Sequence, residues 1–161
     1  LRILFFILIV ACANAFGEDP NKEKVTKMYQ DIKQDFKDVP ELKLNDFDKL
    51  EKEIILVDVR PYEERKVSII PRAISKEEYE RKASQFTDKK IAVYCTIGYR
   101  SAKYVRKLRK KGVQALNLEG SLLGWVHDGR AVENPAGKSV KKVHVYGRSW
   151  NYLPDGFQGE W

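Results

Sequence analysis

Three short runs of apolar, largely β-branched residues constrain this chain more than any other feature: Glu53–Arg60 (EIILVDVR), Ile91–Cys95 (IAVYC) and Val113–Leu118 (VQALNL). The first two lack the apolar/polar alternation of a strand with one wet face. Both faces of such strands must be covered, which is the situation of a parallel sheet. Between them lie helix-like patterns: Ser75 and Glu78 form a capping box opening a helix toward Phe86, and Ser101 to Lys111 reads as a basic helix ended by Gly112. Strands alternating with helices predict βαβ units and an α/β fold, an open parallel sheet flanked by helices on both faces. At 161 residues the chain suits one domain with appendages.

The appendages are legible as changes of pattern. In Lys22–Lys37, Val25, Met28, Tyr29, Ile32 and Phe36 recur at three- and four-residue spacing, an amphipathic helix closed by Val39-Pro40. Its polar face mixes Asp and Glu with Lys, so it packs on the domain rather than on an anionic membrane. Glu41–Leu44 is expected as a short strand, with Asn45 capping a helix over Asp46–Lys52. A short helix runs through Trp125. After Val132, Glu133–Gly137 reads as a linker, Val140–Tyr146 as a lysine-protected edge strand, and Trp150–Trp161 as an aromatic arm packed over the domain.

The first 15 residues carry one basic residue, a short apolar run and the small-x-small sequence Ala13-Asn14-Ala15. The run is shorter than the ~18–20 residues of a membrane span, so the expectation is a cleaved secretory signal peptide and an exported, periplasmic protein. Ile9-Val10-Ala11-Cys12 also resembles a lipobox, and lipidation at Cys12 is the only route to a membrane that the sequence suggests. The expected divisions are a leader at 1–15, a linker and helix at 16–40, the α/β domain at 41–132 and an extension at 133–161. After cleavage a single cysteine, Cys95, remains. An odd thiol in an exported protein is buried, paired with another molecule or chemically used.

Cys95 ends the second apolar run, a glycine-containing loop follows, and a helix then begins: Cys95-Thr96-Ile97-Gly98-Tyr99-Arg100-Ser101. Ligands of open parallel sheets bind beyond the carboxyl ends of the strands. Loop amides and the positive end of the following helix form an anion cradle there, which lowers a thiol's pKa. Arg100 adds a positive charge, and Gly98 permits backbone conformations closed to other residues. The residues describe an activated cysteine in a bowl suited to an oxyanion.

This stretch resembles the active-site loop of the rhodanese-like sulfurtransferases. Ile55–Arg60 followed by Glu63-Glu64 resembles the family's first strand motif, Ile70-Pro71-Arg72-Ala73-Ile74 its His-Ile-Pro-Gly-Ala segment, and Leu118–Ser121 with Trp125 and Gly129 its C-terminal motif. The resemblance implies that Cys95 attacks the outer sulfur of a donor such as thiosulfate. It then holds the sulfur as a persulfide among Thr96, Ile97, Gly98, Tyr99, Arg100 and Ser101, and passes it to a thiol or to cyanide. It also implies supporting roles: Asp58 holds the fold together, Arg60 serves as an ion-pair partner near the pocket, and Glu119 orients its neighbours. Cys95 to Arg100 spans six residues, the size of the family's sulfur-handling loop; phosphatases on the fold have one more. Ile69 stands where the family often has His, and Arg72 where it has Gly, either adding charge at the mouth or pointing to solvent.

The alternatives are a partner-dependent sulfur relay or binding module with little activity on free thiosulfate, a phosphatase or arsenate reductase, and a non-catalytic domain. The partners implied are a small sulfur-containing anion and a thiol or protein acceptor. A net charge of +7 with interspersed signs does not argue for nucleic acid. The basic helix (Lys103, Arg106, Lys107, Arg109, Lys110, Lys111) reads as a solvated face. No cofactor is expected, and no metal, since His127 and His144 lack the spacing of a ligand set.

Overall fold

The computed structural model describes residues 19–161; the expected leader and Cys12 lie outside the described residues. Five parallel strands form the main sheet: β1 (Glu41–Leu42), β2 (Ile54–Asp58), β3 (Ile74–Ser75), β4 (Lys90–Tyr94) and β5 (Ala115–Leu118), in the order β1-β5-β4-β2-β3. Around them lie α1 (Pro20–Asp35), α2 (Leu44–Leu50), α3 (Tyr62–Arg65), α4 (Lys76–Lys82), α5 (Tyr99–Arg109) and α6 (Ser121–His127). None of these is long and apolar enough to cross a membrane.

Period-two alternation sends the strand residues into two separate cores. Leu56, Ala92, Tyr94 and Leu118 pack with Val25 of α1, Phe47 of α2 and Leu122 and Leu123 of α6. Val57, Ile91, Val93 and Ala115 pack with Tyr79 of α4 and Ala102, Val105 and Leu108 of α5. Both faces of the sheet are therefore covered, as the unbroken apolar runs require. Each buried aliphatic side chain contributes on the order of 1.5–3 kcal/mol relative to exposure.

Among the expected boundaries that move, two have a visible cause, one distant and one local. The helix after β1 starts at Leu44, with Lys43 rather than Asn45 in the capping position and no cap from its side chain. The Leu44 amide instead donates to the carboxylate of Glu119, 75 positions away, at 3.2 Å. Helix α5 begins at Tyr99, two residues earlier than expected, because Gly98 in the left-handed region (φ +118°) turns the chain directly into it.

The extension is packed, not free. The expected strand over Val140–Tyr146 is split because its two parts have different partners. β7 (Ser139–Val140) pairs with β6 (Val132–Glu133), and β8 (Lys142–His144) with β9 (Gln158–Glu160). Val143, Val145 and Leu153 are buried in the first core, and Trp150, Tyr152 and Phe157 pack against it. This folding brings residues after Val145 over the carboxyl ends of the central strands.

Candidate active site

Cys95 is the first residue beyond β4, at the carboxyl end of the sheet, and is buried. The start of α6 fixes the loop that it opens: Leu122 N–H donates to the Cys95 carbonyl (3.1 Å) and Leu123 N–H to that of Thr96 (3.0 Å). Cys95 N–H donates to Ser121 Oγ (3.2 Å), and Asn117 Nδ2 to the Gly98 carbonyl (3.1 Å). From the other side the ring of Tyr29 in α1 presses on Gly98, where an added Cβ would lie 2.8 Å from it. Gly98 is thus required twice, by its backbone angle and by its neighbour.

The sulfur sits inside this frame. Gly98 N–H donates to Cys95 Sγ at 3.2 Å, and Ser101 Oγ lies 3.5 Å from it. Burial pushes the thiol's pKa up. The Ser101 hydroxyl, the charge of Arg100 and the amides of Ser101 and Gly98 outweigh that effect and hold it below the ordinary thiol value. The first turn of α5 adds the positive end of an 11-residue helix.

Arg100 is not a free charge. Its guanidinium forms a two-pronged pair with Glu64 of α3 (2.6 and 2.8 Å) and also donates to Thr96 Oγ1 (3.0 Å). The Glu64 side chain is only 5% exposed. Burial pushes its pKa up, but Arg100 overcomes that and holds the carboxyl below its ordinary value. In the sequence Glu64 stands out only as part of the motif that follows the first apolar run. Its pairing joins residues 36 apart, and no local pattern announces it.

The three expected supporting residues lie outside the pocket. Asp58 and Arg60 form a buried pair (Nη2 to Oδ2 2.7 Å), and Arg60 also donates to the Ser68 carbonyl at 2.6 Å, tying the end of β2 to the next segment. Glu119 orients α2 and makes no contact with the loop sulfur. Arg72 points to solvent and pairs with Glu51 near the amino ends of the strands, opposite Cys95. The backbone of Ile69 bridges Glu133, joining domain and extension.

Above Cys95 opens a cavity of about 330 Å³. Thr96, Ile97 and Arg100 line its lower part, and Tyr99 lies on its edge, packed edge-to-face on Phe36 at 5.4 Å. The remaining wall comes from Ile32 of α1 and from Tyr146 and Trp150 of the extension. The arm was expected to pack over the domain; Trp150 of that arm and Tyr146 of the expected edge strand also wall the cavity.

A strand-loop-helix site with a stabilised thiolate, at the carboxyl end of a five-stranded parallel sheet, defines the class of fold and site. A family model, the rhodanese-like domain, matches residues 39–128, and the chain belongs to the rhodanese-like family. Over 79 residues it is 37% identical to a tRNA sulfurtransferase of Desulfurococcus amylolyticus, a match covering 48% of this chain but only 16% of that protein. A rhodanese-related protein of Thermoplasma volcanium is similar in structure (TM-score 0.52, 29% identity, covering 58% of this chain and 97% of that one). A thiosulfate sulfurtransferase of Pseudomonas aeruginosa shares the fold (TM-score 0.56, 18% identity, covering 73% of this chain and 24% of that one).

Proposed function

We propose that this protein transfers sulfane sulfur through a persulfide on Cys95. The Cys95 thiolate attacks the outer sulfur of a donor such as thiosulfate. A new S–S bond forms, the donor's S–S bond breaks, and sulfite leaves with the bonding pair. A thiol or cyanide then attacks the outer sulfur of the persulfide and regenerates the thiolate.

The surroundings of Sγ carry this reading. Among the described residues, its hydrogen-bonding neighbours are the Gly98 amide and the Ser101 hydroxyl, with the Arg100 charge nearby. These stabilise an anion and hold no general acid poised for a leaving group. Sulfite departs as an anion and needs none, whereas an alkoxide leaving group does. The same donors suit a persulfide anion, so one frame serves both half-reactions.

Steady-state kinetics with thiosulfate and cyanide test the covalent carrier. Parallel double-reciprocal lines are expected, with activity absent in Cys95→Ser. Intersecting lines, or an active Cys95→Ser enzyme, would contradict it.

A further inference from the structure

One stripe of α1 meets the active-site loop, although the helix precedes the matched family domain. Tyr29, Ile32 and Phe36, the residue that caps the helix, follow at three- and four-residue spacing and share a face. Ile32 lines the cavity, and Phe36 stands edge-to-face on Tyr99. Tyr29 reaches deepest. It is 4% exposed, and its ring lies against the Gly98 backbone, 2.8 and 2.9 Å from where a Cβ would stand.

Gly98 needs such a neighbour. Its carbonyl is fixed by Asn117 Nδ2 (3.1 Å), the Ser101 hydroxyl (3.1 Å) and the Ala102 amide (3.0 Å). Its N–H, which donates to Cys95 Sγ, belongs to the preceding peptide plane. The two planes join only at the Gly98 Cα, where a glycine turns freely. The Tyr29 ring occupies the side of that Cα left open by the missing side chain. Behind the ring, Glu41 and Asn117 are opposite each other in β1 and β5. Glu41 Oε2 and Asn117 Oδ1 are buried, without a partner in full hydrogen-bonding geometry among the described residues, and both side chains act on the Tyr29 hydroxyl. Burial, then the charge and hydrogen bonding of Glu41, push the phenol's pKa up, while Asn117 acts the other way. The hydroxyl therefore stays a donor, facing buried acceptors that keep the ring in place.

We propose that Tyr29 is a positioning residue for Cys95: its ring holds the Gly98 peptide with the amide on Sγ, and α1 thereby sets the reactivity of the thiol from outside the family domain. A hydrogen bond to the charged form of a group favours that form, so a Gly98 amide that turns away costs the thiolate a donor. Tyr29 lies outside the lining of the cavity and acts through Gly98. The consequence for turnover rests on the sulfur-transfer reading; the effect on the thiol does not.

The test is alkylation of Cys95 by iodoacetamide, followed against pH. Tyr29→Leu removes the ring and should raise the midpoint by at least about half a pH unit, roughly a threefold loss of thiolate well below it. Tyr29→Phe keeps the ring and should keep the wild-type midpoint, even as it loses stability with the hydroxyl. Val25→Ala, at a buried position of the same helix, is the structural control: it should lose stability in urea and leave the midpoint in place. Tyr29→Met carries the same test if the leucine variant does not fold. An unmoved midpoint in the folded variant without the ring would overturn the proposal. So would an equal rise in Val25→Ala or in Tyr29→Phe. If the midpoint rises as expected while the wild type takes no sulfur from thiosulfate, the positioning role stands and the transfer reading falls.

Discussion

The floor and the wall of the cavity are built on different terms. The floor, Cys95, Gly98, Arg100, Ser101 and Glu64, lies inside the matched family domain, and its polar groups are tied by short hydrogen bonds and a half-buried ion pair. The wall, Ile32, Tyr146 and Trp150, comes from segments on either side of that domain and meets the cavity through aromatic and aliphatic surface. Floor and wall therefore differ in kind: the floor's polar groups surround the sulfur, and the wall's apolar surface lies beside them across the cavity. Damage to the floor should cost stability and reactivity together, while damage to the wall should spare the thiol's reactivity.

The largest effect is expected where the floor's ion pair is broken. Glu64→Ala leaves Arg100 partly buried and unpaired, and should lower unfolding free energy by about 3 kcal/mol, read from urea titration. A loss below about 1 kcal/mol would mean that the pair is solvated and the floor no more rigid than the wall. Gly98→Ala should follow at about 2 kcal/mol, since alanine is strained at φ +118° and collides with the Tyr29 ring. Replacing Tyr29 with a smaller residue in the same chain should recover part of that loss; no recovery would place the whole cost in the backbone.

Reactivity is next. The thiolate is the reactive form, so alkylation of Cys95 rises with pH and levels off above its pKa. With that pKa held low, the midpoint should fall below the ~8.5 of a free thiol. Ser101→Ala removes one cause of the depression. The midpoint should move up and the rate at neutral pH should fall; a profile unchanged from wild type would remove Ser101 from the floor.

The difference between floor and wall also marks what the sequence could tell. The central strands β2, β4 and β5, helices α1 and α5 and the cysteine's place at a strand end are written in local pattern and spacing, because burial repeats at fixed intervals, whereas the two-residue β3 is not. Asp58 as a structural residue and Arg60 as an ion-pair partner were legible from the resemblance, but that they pair with each other is seen only in the structure. The pairing of Glu64 with Arg100 and the capping of Leu44 by Glu119 link residues 36 and 75 positions apart, which only the folded chain brings together. Tyr146 and Trp150 were visible as aromatics, but the split of the expected strand at Lys141 sets their direction, and that split depends on two partner strands elsewhere in the chain.

The smallest effect is a control at the opposite end of the sheet. Arg72 occupies the left-handed region at φ +66°, with an exposed pairing to Glu51. Glycine there relieves about 1 kcal/mol of backbone cost against an exposed pair worth ~0–1 kcal/mol. Arg72→Gly should leave stability equal or slightly higher in thermal unfolding and leave transfer kinetics unchanged. A change in donor selectivity would break the separation between this end and the site.

The central claim is that Cys95 carries sulfur. Intact-mass spectrometry of the wild type and Cys95→Ser, before and after thiosulfate, tests it most directly. The account predicts a gain of one sulfur atom in the wild type alone, reversed by cyanide. No gain in the wild type, or an equal gain in Cys95→Ser, would contradict it.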